Sequence, residues 1–415
     1  MTDYQALKEA VDELEALEKK GDYLGVINGM KTLVQDDRRA FTNDYVKEWS
    51  GRRWRNLFLQ EGAKDKAALK VAKKTLGKDK RPAAQKIAER FLKNDDYLEW
   101  QLDMPEAQIS KLNNTTLVFC PGLINGLLPG RAFCTEFPDI EEEYRSQGWK
   151  IFRADAHPMR GCEANNKDLL RAINEGKGFK ADAGSGSKEK KRKGPPPKDV
   201  FLMGYSKGAP DILSVLVNNP ELKDRVRCVF TWAGAIGGSY TADGLYEMIK
   251  DMDTDAVTAR LHDFISVLSA GATQKGSLRR LKEYDIKEAM LSLTTHQRNA
   301  FNERCQETLD QMNIPIFNIT SATTLMEVPT YQMADTLTLN KYDGNNDMQL
   351  TQEQAKLRHP MSTHIAMLHG HHWDISYPPF PRAVRLTSPN LDNPFPRKAA
   401  AIAIFKFAAE LGLID

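Results

Sequence analysis

The sequence predicts an α/β protein: a mainly parallel sheet flanked by helices, preceded by a helical module and interrupted by a helical insertion. Three observations predict it. From Thr115 onward, short apolar runs alternate with amphipathic stretches, the pattern of parallel strands joined by crossover helices. One of these runs, Val200-Phe-Leu-Met, leads straight into Gly204-Tyr-Ser206-Lys-Gly208, and helical spacing follows from Ala209. Before Thr115, residues 1–105 carry helical periods and little that resembles a strand.

With 415 residues, the chain is long enough for one α/β domain and an extra module. The expected division is a helical module over 1–105 and a sheet domain over 106–415. Formal net charge is +2, so bulk charge points to no polyanion, and no nucleic-acid partner is expected. Its distribution is uneven. Lys and Arg outnumber Asp and Glu from Lys47 to Lys93, and Lys188-Glu-Lys-Lys-Arg-Lys193 forms a second cluster within a Gly/Ser/Pro-rich stretch. Contact with an anionic surface or a nucleic acid is one use for such segments; solvated helix faces and a soluble linker are the plainer reading. The N-terminus has no apolar signal core and no later run is long enough to span a bilayer, so a cytoplasmic location is expected. Five cysteines, odd in number and without a C-x-x-C pair, argue for reduced thiols rather than a disulfide framework or a zinc site.

In the first module, Leu7, Val11, Leu14 and Leu17 share one helical face; Leu24, Ile27, Met30 and Val34 share another beyond Gly21-Asp22. A further helix is expected from Pro82 to Leu92. Trp49, Trp54, Leu57 and Phe58 lie among Arg52, Arg53 and Arg55, aromatics at a spacing that suits packing on the sheet domain. Strands are expected over 116–120, 149–153, the run before Ser206, 227–232, 314–319 and 364–368. Helices are expected over 133–145, 165–174, after Ser206, and over 397–411. The low-complexity segment 176–198 reads as a disordered basic surface loop. Residues 240–312 lack a strand pattern and read as a helical lid or cap.

A strand, a serine on a Gly-flanked turn and a helix form the setting in which a serine hydroxyl is exposed at a helix N-terminus. That hydroxyl is a weak nucleophile until a histidine takes its proton and a carboxylate holds the histidine's tautomer. Three histidines fall within His369-Gly-His371-His372-Trp-Asp374, after the last strand. His372 is the expected base, with His371 the alternative and His369 assigned to the strand end. A metal site is the competing reading, but the spacing is not that of a helical histidine pair. The acid is expected in the loop after the 314–319 strand. Asp347, ahead of a helix-like Thr351-Gln-Glu-Gln, is preferred there to Asp343, whose following Gly344 suggests a turn. Oxyanion donors are expected from the N–H groups of Lys207 and of Leu123, in the turn Cys120-Pro-Gly-Leu123.

These motifs resemble the α/β-hydrolase superfamily, in particular its lipases and esterases. Pro121-Gly122-Leu123 stands where they carry a His-Gly pair before the oxyanion residue, and Gly204-Tyr-Ser-Lys-Gly-Ala-Pro-Asp211 is similar to their elbow. Thr231 to Ser239 is similar to the turn after the next strand. Asn346-Asp347 matches the acid loop, with Met348 in the glycine's place, and His372-Trp-Asp is similar to the histidine loop. The resemblance covers residues 115–415 and implies hydrolysis of a lipid-like or small acyl ester through Ser206, Asp347 and His372, with no cofactor. A thioesterase, acyltransferase or peptidase using the same residues, or a non-catalytic binding protein on the same fold, are the alternatives.

Overall fold

The computed structural model describes residues 4–76, 80–93, 103–107, 109, 114–123, 144, 146–179, 191–268, 283–377 and 395–415. Among them, eight strands form one sheet in the order β4-β3-β2-β1-β5-β6-β7-β8. They are β1 Thr115–Cys120, β2 Lys150–Arg153, β3 Lys177–Phe179, β4 Lys191–Lys193, β5 Asp199–Tyr205, β6 Val226–Trp232, β7 Ile316–Ala322 and β8 Ser362–His369. The six from β2 to β8 in that order run parallel, while β3 and β4 pair antiparallel at the edge. The ends of the segment expected to be a disordered loop over 176–198 are therefore strands, and 180–190 lies outside the described residues. A short hairpin extends the ladder from Arg153, which pairs with Phe179, so its backbone groups find partners despite the low-complexity sequence.

Alternation along the central strand builds both faces. Val200 and Leu202 pack with helices α6 (Asn166–Glu175), α7 (Gly208–Asn218) and α11 (Thr295–Met312), through residues such as Leu169, Ile212 and Leu309. Phe201, Met203 and Tyr205 face the other way, onto α13 (Arg397–Glu410) and the N-terminal helices. Those helices are α1 Tyr4–Lys19, α2 Tyr23–Asp36, α3 Asp44–Gly62, α4 Lys66–Leu76 and α5 Ala83–Phe91. One apolar cluster runs from Val11 and Met30 through Trp49, Trp54 and Phe58 to Phe405 and the strands. Helix α3 lies against both α13 and β8. The helix expected over 133–145 falls almost wholly outside the described residues; Tyr144 is fully buried, its hydroxyl donating to the Ala401 carbonyl at 2.7 Å.

The Lys47 to Lys93 stretch divides: Lys64, Lys66, Lys70 and Lys80 are exposed, whereas several of its arginines turn inward. Arg52 pairs with Glu18 at 2.9 Å, Arg55 donates to the Ile365 carbonyl at 2.8 Å, and Arg90 reaches Glu327 at 3.3 Å. Arg53, fully buried, grips Glu410 of α13 through Nε and Nη2, both at 2.6 Å. The chain leaving α5 then reaches the sheet, where Leu92 forms an antiparallel bridge with Leu368 and Lys93 N donates to the Met367 carbonyl at 2.8 Å.

Between β6 and β7 the described chain is helical: α8 Tyr240–Ile249, α9 Thr254–Leu268, α10 Ile286–Leu291 and α11. Residues 240–312, expected as one lid, divide in role. Phe301, Cys305, Leu309 and Met312 of α11 belong to the layer covering the sheet. Ala242 of α8 and Leu293 instead join a small apolar cluster with Ala235, Leu350 and Ala355, against which Leu123 packs. After β7 come α12 (Met333–Leu339) and a stretch of turns; Thr351-Gln-Glu-Gln, expected to be helix-like, forms turns beside a bridge from Thr351 to Asn346. Among the described residues, no helix is long and apolar enough to cross a membrane.

Removing one partner of a buried pair strands the other's charge. Arg53→Ala should lower the unfolding free energy by about 3–5 kcal/mol, whereas Arg53→Met with Glu410→Leu should lose much less. Urea unfolding monitored by tryptophan fluorescence measures both, and equal losses would show that the charge is not what the pair contributes.

Candidate active site

Ser206 lies at the carboxyl end of β5, beside the turn that follows β1. The chain moves from β1 to β2 on one side and returns to β5 on the other, so the two strand ends open a crevice at the switch point of the sheet. Ser206 has φ +51°, in the left-handed region that side-chain-bearing residues avoid. Its backbone is pinned there: Ser206 N donates to the Trp232 carbonyl at 3.1 Å, while its own carbonyl accepts from Ala209 and Ala235 at 3.2 and 3.1 Å. The flanking glycines are required by contact. A Cβ on Gly204 would sit 2.6 Å from Ala209 N, and one on Gly208 would sit 2.1 Å from the Cys120 carbonyl oxygen. Around this turn Ser206 is half-buried, whereas Tyr205 and Lys207 are buried.

Ser206 Oγ and His372 Nε2 are 2.9 Å apart, and His372 Nδ1 and Asp347 Oδ2 are 2.8 Å apart. An ionised carboxylate can only accept, so Nδ1 carries the proton and the Nε2 lone pair faces the serine hydroxyl. Asp347 is itself held firmly. Its Oδ1 accepts from the N–H groups of Gln349 and Leu350 at 3.0 and 2.8 Å, and its Oδ2 accepts from Ser321 Oγ at 3.0 Å. The two loops are tied a second time, since His372 N donates to the Asp347 carbonyl at 2.9 Å. Tyr205 Oη, one residue before the serine, donates to the His372 carbonyl at 2.8 Å.

The other candidates sit elsewhere. His371 is fully buried, with Nδ1 accepting from the N–H groups of Trp373 and Asp374 and Nε2 lying 3.1 Å from Asp374 Oδ1. Asp343 accepts from Asn345 N and Gln352 N at 2.8 and 2.9 Å, the bonding of a turn aspartate. His369 ends β8 and meets Glu327 through Nε2 at 2.8 Å. The turn after β1 does reach the serine: a Cβ on Gly122 would stand 3.2 Å from Ser206 Cβ. Neither Leu123 N nor Lys207 N donates to another group among the described residues. Among them, too, no group of His, Cys, Asp and Glu has the arrangement of a metal site.

No family model and no curated protein matches the chain. Solved structures do. A metagenomic carboxyl esterase superimposes with a TM-score of 0.60 at 19% identity, covering 86% of this chain and 90% of the other. The chain has the α/β-hydrolase fold. Two further neighbours, EstA from Clostridium botulinum (TM-score 0.45, 13% identity, 72% and 88% covered) and a Staphylococcus hyicus lipase (0.43, 13%, 74% and 98%), align more loosely.

On this α/β-hydrolase scaffold, three further features went beyond the sequence reading. Met348 has φ +75° and is fully buried. The Asp347 loop thus holds a methionine in a conformation that glycine adopts freely and that strains other residues. Lys207 offers more than its N–H: its ammonium is buried and held by both Asp211 oxygens at 2.7 and 2.9 Å, and Asp211 accepts in turn from Asn165 Nδ2 at 2.8 Å. Burial alone would lower the Lys207 pKa, but the Asp211 carboxylate overcomes it and holds the ammonium above its ordinary value. The i, i+4 spacing of Lys207 and Asp211 was the available signal. Glu327, the third feature, is nearly buried between His369 and Arg90. Burial would raise its pKa; the His369 hydrogen bond and the His369 and Arg90 charges outweigh that and bring it to about 2.

Two outcomes are expected. Gly208→Ala should destabilise the protein by about 1–3 kcal/mol or more, because the obstruction is backbone and cannot rotate away; an unchanged melting temperature would contradict the packing. The stabilisation from Glu327 is complete above its ordinary value of 4.5 and is lost as pH falls through about 2. Glu327→Gln should therefore remove on the order of 3 kcal/mol from the stability difference between pH 6 and pH 2, read by urea unfolding at each pH.

Proposed function

We propose that the protein hydrolyses carboxylic esters through an acyl-enzyme on Ser206. The observation that carries this reading is the continuous relay from the Ser206 hydroxyl through His372 to Asp347. His372 Nε2 takes the hydroxyl proton as Oγ bonds to the ester carbonyl carbon, and the carbonyl oxygen becomes an oxyanion. The N–H groups of Lys207 and Leu123 are the proposed donors to it. Asp347 stabilises the imidazolium while that charge lasts. Collapse of the intermediate breaks the bond to the alcohol, which leaves with the proton from His372. Water then enters: His372 takes its proton, the hydroxide oxygen bonds to the acyl carbon, and Ser206 departs with that proton as the carboxylic acid is released. No cofactor takes part in these steps.

An apolar acyl group is favoured by the surroundings. Leu123 packs both on the main core and on the Ala235, Ala242, Leu293 and Leu350 cluster, so the turn proposed to bind the oxyanion adjoins hydrocarbon. Lipid-like or small acyl esters are accordingly the proposed substrates.

Hydrolysis of a p-nitrophenyl ester series of graded chain length tests the proposal. Ser206→Ala and His372→Ala should each lower kcat by roughly four to six powers of ten, and Asp347→Asn by about four. Asp343→Asn should stay within about tenfold of the parent. A fluorophosphonate probe should label the parent and not Ser206→Ala. Near-normal turnover in Ser206→Ala would end the assignment.

A further inference from the structure

Lys207, the residue after the nucleophile, is charged and only 1% exposed, as is Asp211 one helical turn on. Both Asp211 oxygens hold the Lys207 ammonium, at 2.7 and 2.9 Å. A buried ion pair of this kind adds little stability over apolar side chains of similar volume, because desolvating both charges offsets their attraction. What it supplies is direction. Lys207 is the N-cap residue of α7 and Asp211 lies in that helix's first turn, so the two bonds lock the Lys207 side chain against the helix that begins there.

The bonding does not end at α7. Asp211 Oδ2 accepts from Asn165 Nδ2 at 2.8 Å, and Asn165 is fully buried in the chain that follows β2. Asn165 Nδ2 also donates to the His157 carbonyl at 3.0 Å, while its Oδ1 accepts from His157 N at 3.1 Å and from Arg160 Nε and Nη2 at 3.1 and 2.9 Å. Arg160 in turn holds Asp168 of α6 and, through Nη1 at 2.6 Å, Glu283. Glu283 and Tyr284 precede α10 in the insertion between β6 and β7. There the Tyr284 ring meets the His157 ring edge-on with centroids 4.8 Å apart, and Asp285 N donates to the Met159 carbonyl at 2.8 Å. The bonds therefore run from the insertion, through the loop after β2, to the residue beside Ser206. Asn165 is their neutral link: with a carboxylate on one side and a guanidinium on the other, an amide donates to the first and accepts from the second.

Lys207 is also one of the two proposed oxyanion donors, and such donors act only when they are aimed before the charge develops. We propose that Asp211 and Asn165 are positioning residues for that donor, holding the Lys207 N–H in its working direction by bracing the Lys207 side chain against the loop after β2. This rests on the ester-hydrolase reading, since it assigns a task within that reaction. Both residues are buried and act through Lys207. A donor that is misaimed weakens binding of the tetrahedral intermediate more than binding of the substrate, so its loss is read in kcat rather than in KM.

Hydrolysis of p-nitrophenyl butyrate, with inhibition by octyl trifluoromethyl ketone and by octyl methyl ketone, tests this on the full chain. Asn165→Leu, and separately Lys207→Met together with Asp211→Leu, should each lower kcat by roughly tenfold or more while KM stays within about threefold of the parent. Affinity for the trifluoromethyl ketone, whose adduct with Ser206 carries an oxyanion, should fall by the same factor as kcat, while affinity for the methyl ketone stays within about threefold. The paired variant removes both charges at once and should fold even if Asn165→Leu does not; circular dichroism and urea unfolding check both. Folded variants that lose urea stability but keep kcat and trifluoromethyl ketone affinity would overturn the proposal and leave the ester-hydrolase reading standing. Equal losses for the two ketones would overturn it as well, because the pocket rather than the donor would then have moved. A parent that neither hydrolyses the ester nor takes a fluorophosphonate label at Ser206 would remove the reading and this proposal together.

Discussion

The approach of helix α7 to strand β1 sets the geometry on which the rest of the site depends. Gly208 lies so close to the Cys120 carbonyl that no side-chain carbon fits between them. A helix that near the sheet must begin almost at once after β5, and the turn is then too tight for ordinary backbone angles. The strain falls on Ser206. What results is a hydroxyl raised above the sheet, within reach of a loop that leaves β8 two strands beyond β6. Strain of this kind persists only where the surroundings over-determine it, and here three backbone hydrogen bonds and the core on both faces of β5 do so.

The loops that meet the serine are fixed by a similar excess of bonds. Asp347 and His372 are joined through side chain and backbone, and Tyr205 clasps the His372 carbonyl from beneath the elbow. The N-terminal helices reinforce the same region from outside, because Arg90 meets Glu327 and His369 at the end of β8, and Arg55 meets the Ile365 carbonyl within it. Far from being a separate appendage, α3 and α5 are part of what holds the last strand and its loop in place.

Much of this was legible in the sequence, for reasons that can be named. The apolar run before Gly204 and the helical spacing after Gly208 are local signals, and a tight turn between them leaves few residue types to choose from. His372 and Asp347 were legible through chain order and loop position, and the turn chemistry of Asp343-Gly344 separated the two carboxylates. Contacts between distant segments were not. Arg53 and Glu410 are 357 residues apart, and nothing near Arg53 marks it as buried rather than solvated. The strands Lys177–Phe179 and Lys191–Lys193 were missed because charged, low-complexity sequence carries no period. Met348 was not legible for another reason: a residue type gives no sign that it will hold a left-handed backbone angle usually left to glycine.

The bridge from Leu92 to Leu368 carries a consequence for self-association. An outer strand with free N–H and carbonyl groups is a template for a second copy, and proteins that tolerate high concentration block such templates. Here the chain leaving α5 occupies part of the β8 edge with its own backbone. At the opposite margin, β4 is composed of Lys191, Arg192 and Lys193, a run whose like charges disfavour alignment with itself. One margin of the sheet is thus partly covered by the chain's own backbone, and the other carries three adjacent cations, both features that disfavour strand-to-strand pairing between copies.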